Sequence, residues 1–200
     1  MLSQIARAGA QKIVHPLGAG LARAGVSPDV VTVVGTLSVV IASFTLAARG
    51  YLIAGTIVIT ICALFDMLDG AIARATGRSS KWGAFLDSTM DRLADGAVFG
   101  CLAYWLATEH RFSAMAGAIA ALLTGAAVSY AKARAEGLGF ECNVGFAGRT
   151  ERLIIVGVGA VLSVVWTPVI LDVALWILVA LATITIGQRA AVVYRQAADA

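Results

Sequence analysis

The sequence predicts an all-α polytopic membrane protein: six transmembrane helices preceded by an amphipathic helix on the membrane surface. Three observations predict it. Of 200 residues, 60% are apolar and only 14% are charged, against about 45–50% and about 25% in an ordinary soluble domain. The mean hydropathy is +0.87, and a soluble core of this size could not hide so much apolar surface. The apolar residues also gather into stretches near the ~20 residues that cross a hydrocarbon layer of about 30 Å, and the basic residues fall almost wholly between alternate stretches.

The first element is the surface helix, over residues 1–15. Leu2, Ile5, Ala6, Gly9 and Ile13 recur at helical spacing, with Arg7 and Lys12 elsewhere on the helix. The segment has neither the continuous apolar run nor the small-residue cleavage site of a secretory signal, and Pro16 closes it. Ser27-Pro28-Asp29 then reads as N-cap, first helical residue and first-turn acid. The spans follow at Val30–Ala48, Leu52–Leu68, Trp82–Ala107, Phe112–Ala131, Leu153–Trp166 and Pro168–Gly187.

The third of these spans carries Asp87, Asp91, Arg92 and Asp95 in its first half. It is kept as a span because a protein built around polar chemistry can turn such residues inward. Thr167-Pro168 opens the last span as Ser27-Pro28 opens the first. The 21 glycines are spread through the spans, as expected where helices pack closely in lipid. One longer loop, Glu136 to Thr150, is too short for a domain, so residues 1–200 form a single membrane domain. Cys62, Cys101 and Cys142 are scattered and form neither a disulfide framework nor a zinc set.

Six crossings place the N-terminus, the 74–81 loop, the 132–152 loop and the C-terminus on one side. That side holds nearly all the lysine and arginine, while the other holds Arg49 and Arg111. The positive-inside rule then puts both termini in the cytoplasm of a cell with the protein in its plasma membrane. The net charge of +3 is mostly this topology. No base-stacking aromatic pattern accompanies it, so nucleic acid is not an expected partner.

Chemistry concentrates between residues 66 and 91. Asp66 and Asp69 are spaced i,i+3 and share a helical face at the cytoplasmic end of the second span. Asp87 and Asp91 are spaced i,i+4 near the start of the third. A short return loop brings the two pairs to one depth. Four like charges in an apolar setting repel unless compensated, and a hard divalent cation with oxygen ligands compensates them, Mg²⁺ or Mn²⁺ rather than zinc. Two ions about 3.5–4 Å apart are the usual arrangement for displacement at phosphorus. Arg74 offers a fork for a phosphate oxygen, and Gly70 lets a ligand approach the backbone. Buried salt bridges are a weaker account, because Arg74 alone cannot balance four acids. A cation or proton transporter is the rival of another class, but no second acidic cluster and no inverted repeat supports alternating access. Asp95 is expected to pair with Arg92.

The pattern Asp66-x2-Asp69-Gly70-x2-Ala73-Arg74-x8-Gly83-x3-Asp87-x3-Asp91 resembles the signature of the CDP-alcohol phosphotransferase family, with every fixed position present. The resemblance implies a homodimer, a divalent metal, a CDP-linked lipid donor and CMP as leaving group. It implies that Asp66, Asp69, Asp87 and Asp91 are metal ligands and that Asp91 is also the general base. It implies that Asp29, Val30, Val31, Thr32, Gly70, Arg74 and Ser80 contact the CDP-diacylglycerol. The reading of 29–32 rests on the resemblance alone, since helix capping explains those residues equally well.

A second cluster is basic: Lys132 and Arg134, Arg149 and Arg152, and Arg189. Arginine forks converging with a lysine suit an acceptor that itself carries a phosphate, and ordinary positive-inside charge explains any one of them. Lys132-Ala133-Arg134-Ala135-Glu136 and Arg149-x-Glu151-Arg152-Leu153-Ile154-Ile155-Val156 look like the actinobacterial branch of the family. That resemblance implies 1D-myo-inositol 3-phosphate (L-myo-inositol 1-phosphate) as acceptor and phosphatidylinositol phosphate as product. Glycerol 3-phosphate, which also presents a phosphate and a hydroxyl, is the alternative acceptor.

Overall fold

The structure is a computed structural model that describes residue 20, residues 23–76 and residues 80–198, without the side chains of 64–71 and 73–76. The surface helix expected over 1–15 lies outside the described residues. Among those described there are six α-helices and no strand: α1 Pro28–Thr45, α2 Leu52–Thr76, α3 Lys81–Thr108, α4 Phe112–Gly137, α5 Arg149–Val165 and α6 Val169–Ala198. A 3₁₀ turn, Ala47–Arg49, follows α1. Three segments are long and apolar enough to cross a membrane, Pro28–Arg49, Phe112–Gly137 and Val169–Ala198, and they associate the chain with a membrane. The contacts divide into two compact units, 1–101 and 102–200.

In the first unit, Pro28 sits in the first turn of α1 with Asp29 beside it. Pro28 has no N–H to lose there, and the acid meets the positive end of the helix. Ser27 occupies the cap position with extended backbone, but its hydroxyl makes no capping bond, contrary to the expected capping role. The chain reverses after the 3₁₀ turn at Gly50, whose φ of 77° a side chain would resist. Gly50 N–H donates to the Ala47 carbonyl at 3.1 Å and Tyr51 N–H to the Leu46 carbonyl at 3.0 Å. Val39, Ala94 and Val98 form a buried cluster with Ile59 and Cys62 against it, so α1, α2 and the middle of α3 pack together. Helix α2 does not stop where the apolar run ends. It continues through Asp66, Asp69, Gly70 and Arg74 to Thr76.

The second unit is built on α6, with α4 and α5 packed along it. Glycines set the spacing: a Cβ at Gly117 would lie 3.2 Å from Leu175 Cβ, and one at Gly159 would lie 2.6 Å from Ala174 Cβ. The Cβ of Gly125 is replaced by arginine: its position is 3.0 Å from Arg152 Nε. Close backbone approach of this kind gives van der Waals contact where lipid supplies no hydrophobic drive between helices. At the other end, Arg111 Nη2 donates to the Pro168 carbonyl at 2.6 Å and to the Asp172 carboxylate. The Arg111 guanidinium also stands 6.0 Å from the Trp105 ring, within cation–π range. Val128, Ala147 and Ala182 are buried together with Leu181 and Ile186 against them.

Helix α6 runs to Ala198, about three turns beyond the expected end at Gly187. Its last turns carry polar residues beyond the expected apolar span. The close approach at Gly159 generates a stability prediction. Gly159→Ala should lose about 1–3 kcal/mol, the usual cost of overpacking, read as a lower Tm in detergent. Gly187→Ala, where nothing lies within 4 Å of an added Cβ, should leave the Tm unchanged.

Candidate functional site

Helix α3 positions the part of the acidic set that is described. Its start is capped by Ser80, whose hydroxyl oxygen accepts from Gly83 N–H at 2.9 Å as an N-cap does. Asp87 and Asp91 follow one turn apart, both half-buried, and Asp95 extends the same stripe by a further turn with 5% exposure. Arg92 Nη2 lies 3.7 Å from the Asp91 carboxylate and 3.6 Å from that of Asp95. These are ionic contacts rather than well-formed hydrogen bonds. The expected Arg92–Asp95 pairing is present, and Arg92 shares its charge with Asp91 as well.

The other half of the acidic set sits on α2. The helix is continuous from Leu52 to Thr76, so Asp66, Asp69 and Ala73 share one face by register, and Gly70 and Arg74 lie one turn apart. Their side chains lie outside the described residues, and so does the convergence of four carboxylates. Among the described residues no group of three or more histidines, cysteines or acids stands where it could hold an ion. The described pair, Asp87 and Asp91, fits half of a hard-cation site by its chemistry. It offers oxygen donors alone, one turn apart and half-buried, with no thiol or imidazole between them.

Residues at the starts of α1 and α3 meet. Trp82 Nε1 donates to Asp29 Oδ2 at 3.1 Å. A Cβ on Gly83 would lie 3.3 Å from Ser80 Oγ and 3.8 Å from Asp29 Oδ1. Asp29, Ser80, Trp82 and Gly83 therefore stand together. Trp82 was not singled out by the sequence, and a lone tryptophan at a helix start gives no signal that could have found it. Thr32 is buried and its hydroxyl donates to the Pro28 carbonyl at 3.2 Å. Val30 is exposed and Val31 half-buried.

The basic residues of the second unit separate into two kinds. Lys132 Nζ lies 3.6 Å from Glu136 Oε1 in an i,i+4 pair, both partly exposed. Arg134, two residues on, is exposed and points from another face of α4. Arg152 and Arg189, by contrast, are buried at 1% and 9% exposure. Arg152 lies against Gly125 of α4. Arg189 donates through Nε to the Val144 carbonyl at 3.0 Å and through Nη1 to the Val128 carbonyl. Both guanidinium groups thus reach α4 within one turn, at Gly125 and Val128. Arg149, half-buried, is one turn before Arg152 on α5. Carbonyl partners hold the Arg189 guanidinium, and among the described residues no acid pairs with it; a buried positive charge favours an anion nearby.

The sequence profile of the CDP-alcohol phosphatidyltransferase family matches residues 25–187. The phosphatidylinositol phosphate synthase of Streptomyces avermitilis is 43% identical over 208 residues, covering 100% of this chain and 85% of that protein. The phosphatidylinositol phosphate synthase of Mycobacterium tuberculosis strain H37Rv is 44% identical over 190 residues, covering 92% of this chain and 87% of that one. The crystal structure of the Mycobacterium tuberculosis phosphatidylinositol phosphate synthase with CDP-DAG bound superposes with a TM-score of 0.86 at 43% identity, over 92% of this chain and 94% of that chain. The same enzyme in complex with manganese and citrate gives a TM-score of 0.85 at 42% identity, over 90% and 88% of the two chains. With its family signature complete from Asp66 to Asp91 and a match that covers most of its length, the chain belongs to the CDP-alcohol phosphatidyltransferase family.

Proposed function

We propose that this protein is a phosphatidylinositol phosphate synthase. It transfers the phosphatidyl group of CDP-diacylglycerol to 1D-myo-inositol 3-phosphate (L-myo-inositol 1-phosphate), giving phosphatidylinositol phosphate and CMP. The observation that carries this reading is the 43–44% identity, across nearly the whole chain, with relatives of that name. Two buried guanidinium groups standing at α4 support it, because a phosphorylated acceptor is an anion that arginine forks recognise.

In this reading Asp66, Asp69, Asp87 and Asp91 hold two Mg²⁺ ions, or Mn²⁺. The chemistry such ions supply is neutralisation of the pyrophosphate and of the charge that builds on the leaving oxygen. Asp29, Val30, Val31, Thr32, Gly70, Arg74 and Ser80 bind the CDP-diacylglycerol headgroup, while its acyl chains remain in the bilayer. Lys132, Arg134, Arg149, Arg152 and Arg189 hold the acceptor phosphate. An acceptor hydroxyl oxygen attacks the phosphatidyl phosphorus, the bond from that phosphorus to the CMP oxygen breaks, and the hydroxyl proton passes to Asp91. Residues 1–200 act as one membrane domain, since the family match spans both compact units. The domain crosses six times behind a surface helix at 1–15, with both termini and the site on the cytoplasmic face of the cell membrane, and it works as a homodimer.

Incubation of the purified protein with CDP-diacylglycerol and each acceptor, followed by CMP release, tests the substrate. Inositol phosphate should be used, and free inositol should fall in kcat/KM roughly ten- to a hundredfold for each charge-assisted bond of about 1.5–3 kcal/mol it forgoes. Preference for glycerol 3-phosphate would instead make the protein a phosphatidylglycerophosphate synthase. Excess chelator should abolish transfer, with Mg²⁺ or Mn²⁺ restoring it; full turnover in chelator would remove the metal. Asp91→Asn should lower kcat about 10²–10⁴-fold, the usual contribution of a general base, while CDP-diacylglycerol binding survives. Near-normal turnover by that variant at any pH would assign the proton to another group.

A further inference from the structure

Residues 138–148, between α4 and α5, form neither helix nor strand. Backbone of this kind in a membrane protein needs partners from the protein itself. They come from α6. Gln196 Oε1 accepts from Glu141 N–H at 3.0 Å, and Gln196 Nε2 donates to the Glu141 carbonyl at 2.7 Å. Arg189 Nε donates to the Val144 carbonyl. Thr185 Oγ1 accepts from Phe146 N–H at 3.1 Å and from Ala147 N–H at 3.2 Å. Residues 185, 189 and 196 lie on one face of the helix, so the segment is fastened along a single row of side chains.

Thr185 is the end of that row nearest α5. Its side chain is fully buried, and its hydroxyl proton goes to the Leu181 carbonyl at 2.8 Å. Both lone pairs are then available to the two amides, so the hydroxyl is fully used. The contact is close. Gly145 has a φ of +119°, and a Cβ there would lie 2.2 Å from Thr185 Cγ2. Ala147 is fully buried, and Gly148 caps α5, its carbonyl accepting from Arg152 N–H at 3.1 Å. The first turn of α5, with Arg149 and Arg152, therefore begins two residues after an amide that Thr185 fixes.

We infer that Thr185 is a positioning residue for the acceptor. By holding the amides of Phe146 and Ala147 it presets the start of α5, so that Arg149 and Arg152 are in place before the acceptor phosphate arrives. This rests on the reading that those arginines hold that phosphate. Preorganisation of this sort lowers the ordering cost of binding, so it bears on the acceptor and not on the lipid donor.

The test compares Thr185→Val, which keeps the shape and removes the hydroxyl, with Thr185→Ser, which keeps the hydroxyl. Thr185→Val leaves one part-buried and one buried amide without that acceptor. It should raise KM for inositol phosphate roughly tenfold with KM for CDP-diacylglycerol unchanged, and Thr185→Ser should match the wild type. A role in stability alone would lower Tm and the active fraction and leave both KM values where they were, which overturns the inference. Arg149→Gln separates the two layers. If it raises the acceptor KM and Thr185→Val does not, the positioning role falls and the acceptor reading stands. If Arg149→Gln changes nothing, the acceptor reading falls and takes the inference with it. If Thr185→Val does not fold, hydrogen exchange on the wild type decides. Phe146 and Ala147 amides protected to helix levels before inositol phosphate is added support the preset, and exchange at free-loop rates until it is added overturns it.

Discussion

A buried guanidinium in an apolar helix bundle has to be met by oxygen, and that requirement arranges much of the second unit. Arg189 reaches from α6 to carbonyls of two different segments, Val144 in the loop and Val128 in α4. A carbonyl already used in a helix can accept a second bond, because its oxygen has two lone pairs. Meeting Arg189 therefore costs α4 no helical bond, while it pins the loop. Arg152 is accommodated differently. Its stem and Nε lie where a side chain of α4 would have been, over Gly125, so one helix gives up a side chain to seat the other's charge. Both solutions hold the positive groups fixed, and the proposed acceptor phosphate would meet them without reorganisation.

The same demand appears with opposite sign in the first unit. Asp91 and Asp95 share Arg92, and Asp29 takes the indole N–H of Trp82. Each is a partial answer to a carboxylate at or near apolar surroundings. The Arg92 contacts, at 3.6–3.7 Å, are ionic rather than tightly hydrogen-bonded. In the proposed reading, the divalent ion would supply the remaining compensation for this acidic set.

Much of this was legible in the sequence because the signals were local. Apolar runs marked the helices, and the acidic spacing on α2 and α3 marked the family. The helix ends were not legible. Hydropathy stopped α6 at Gly187, but Arg189 and Gln196 extend it as polar residues with protein partners rather than as a tail. It likewise stopped α2 at Leu68, though the helix carries the remaining motif to Thr76. Basic composition grouped Arg134 with Arg152, but composition cannot say which face a residue occupies, and only the latter is buried. Thr185 and Trp82 act through pairings across the fold, 38–39 and 53 residues away in sequence. No periodicity reports such distances.

The 138–148 connection has a consequence for how this protein can change over evolutionary time. Loops ordinarily absorb substitution and insertion because little rests on them. Here Cys142 and Ala147 have no exposed surface, and Gly145 combines a left-handed φ with no room for a Cβ. Glu141 and Asn143, on either side of Cys142, face outward. A saturation library across this segment would therefore alternate between permissive and forbidden positions, with the mutational profile of a buried strand rather than of a linker. Length would be as constrained as identity, because one inserted residue would shift Phe146 and Ala147 off Thr185 and Glu141 off Gln196 together.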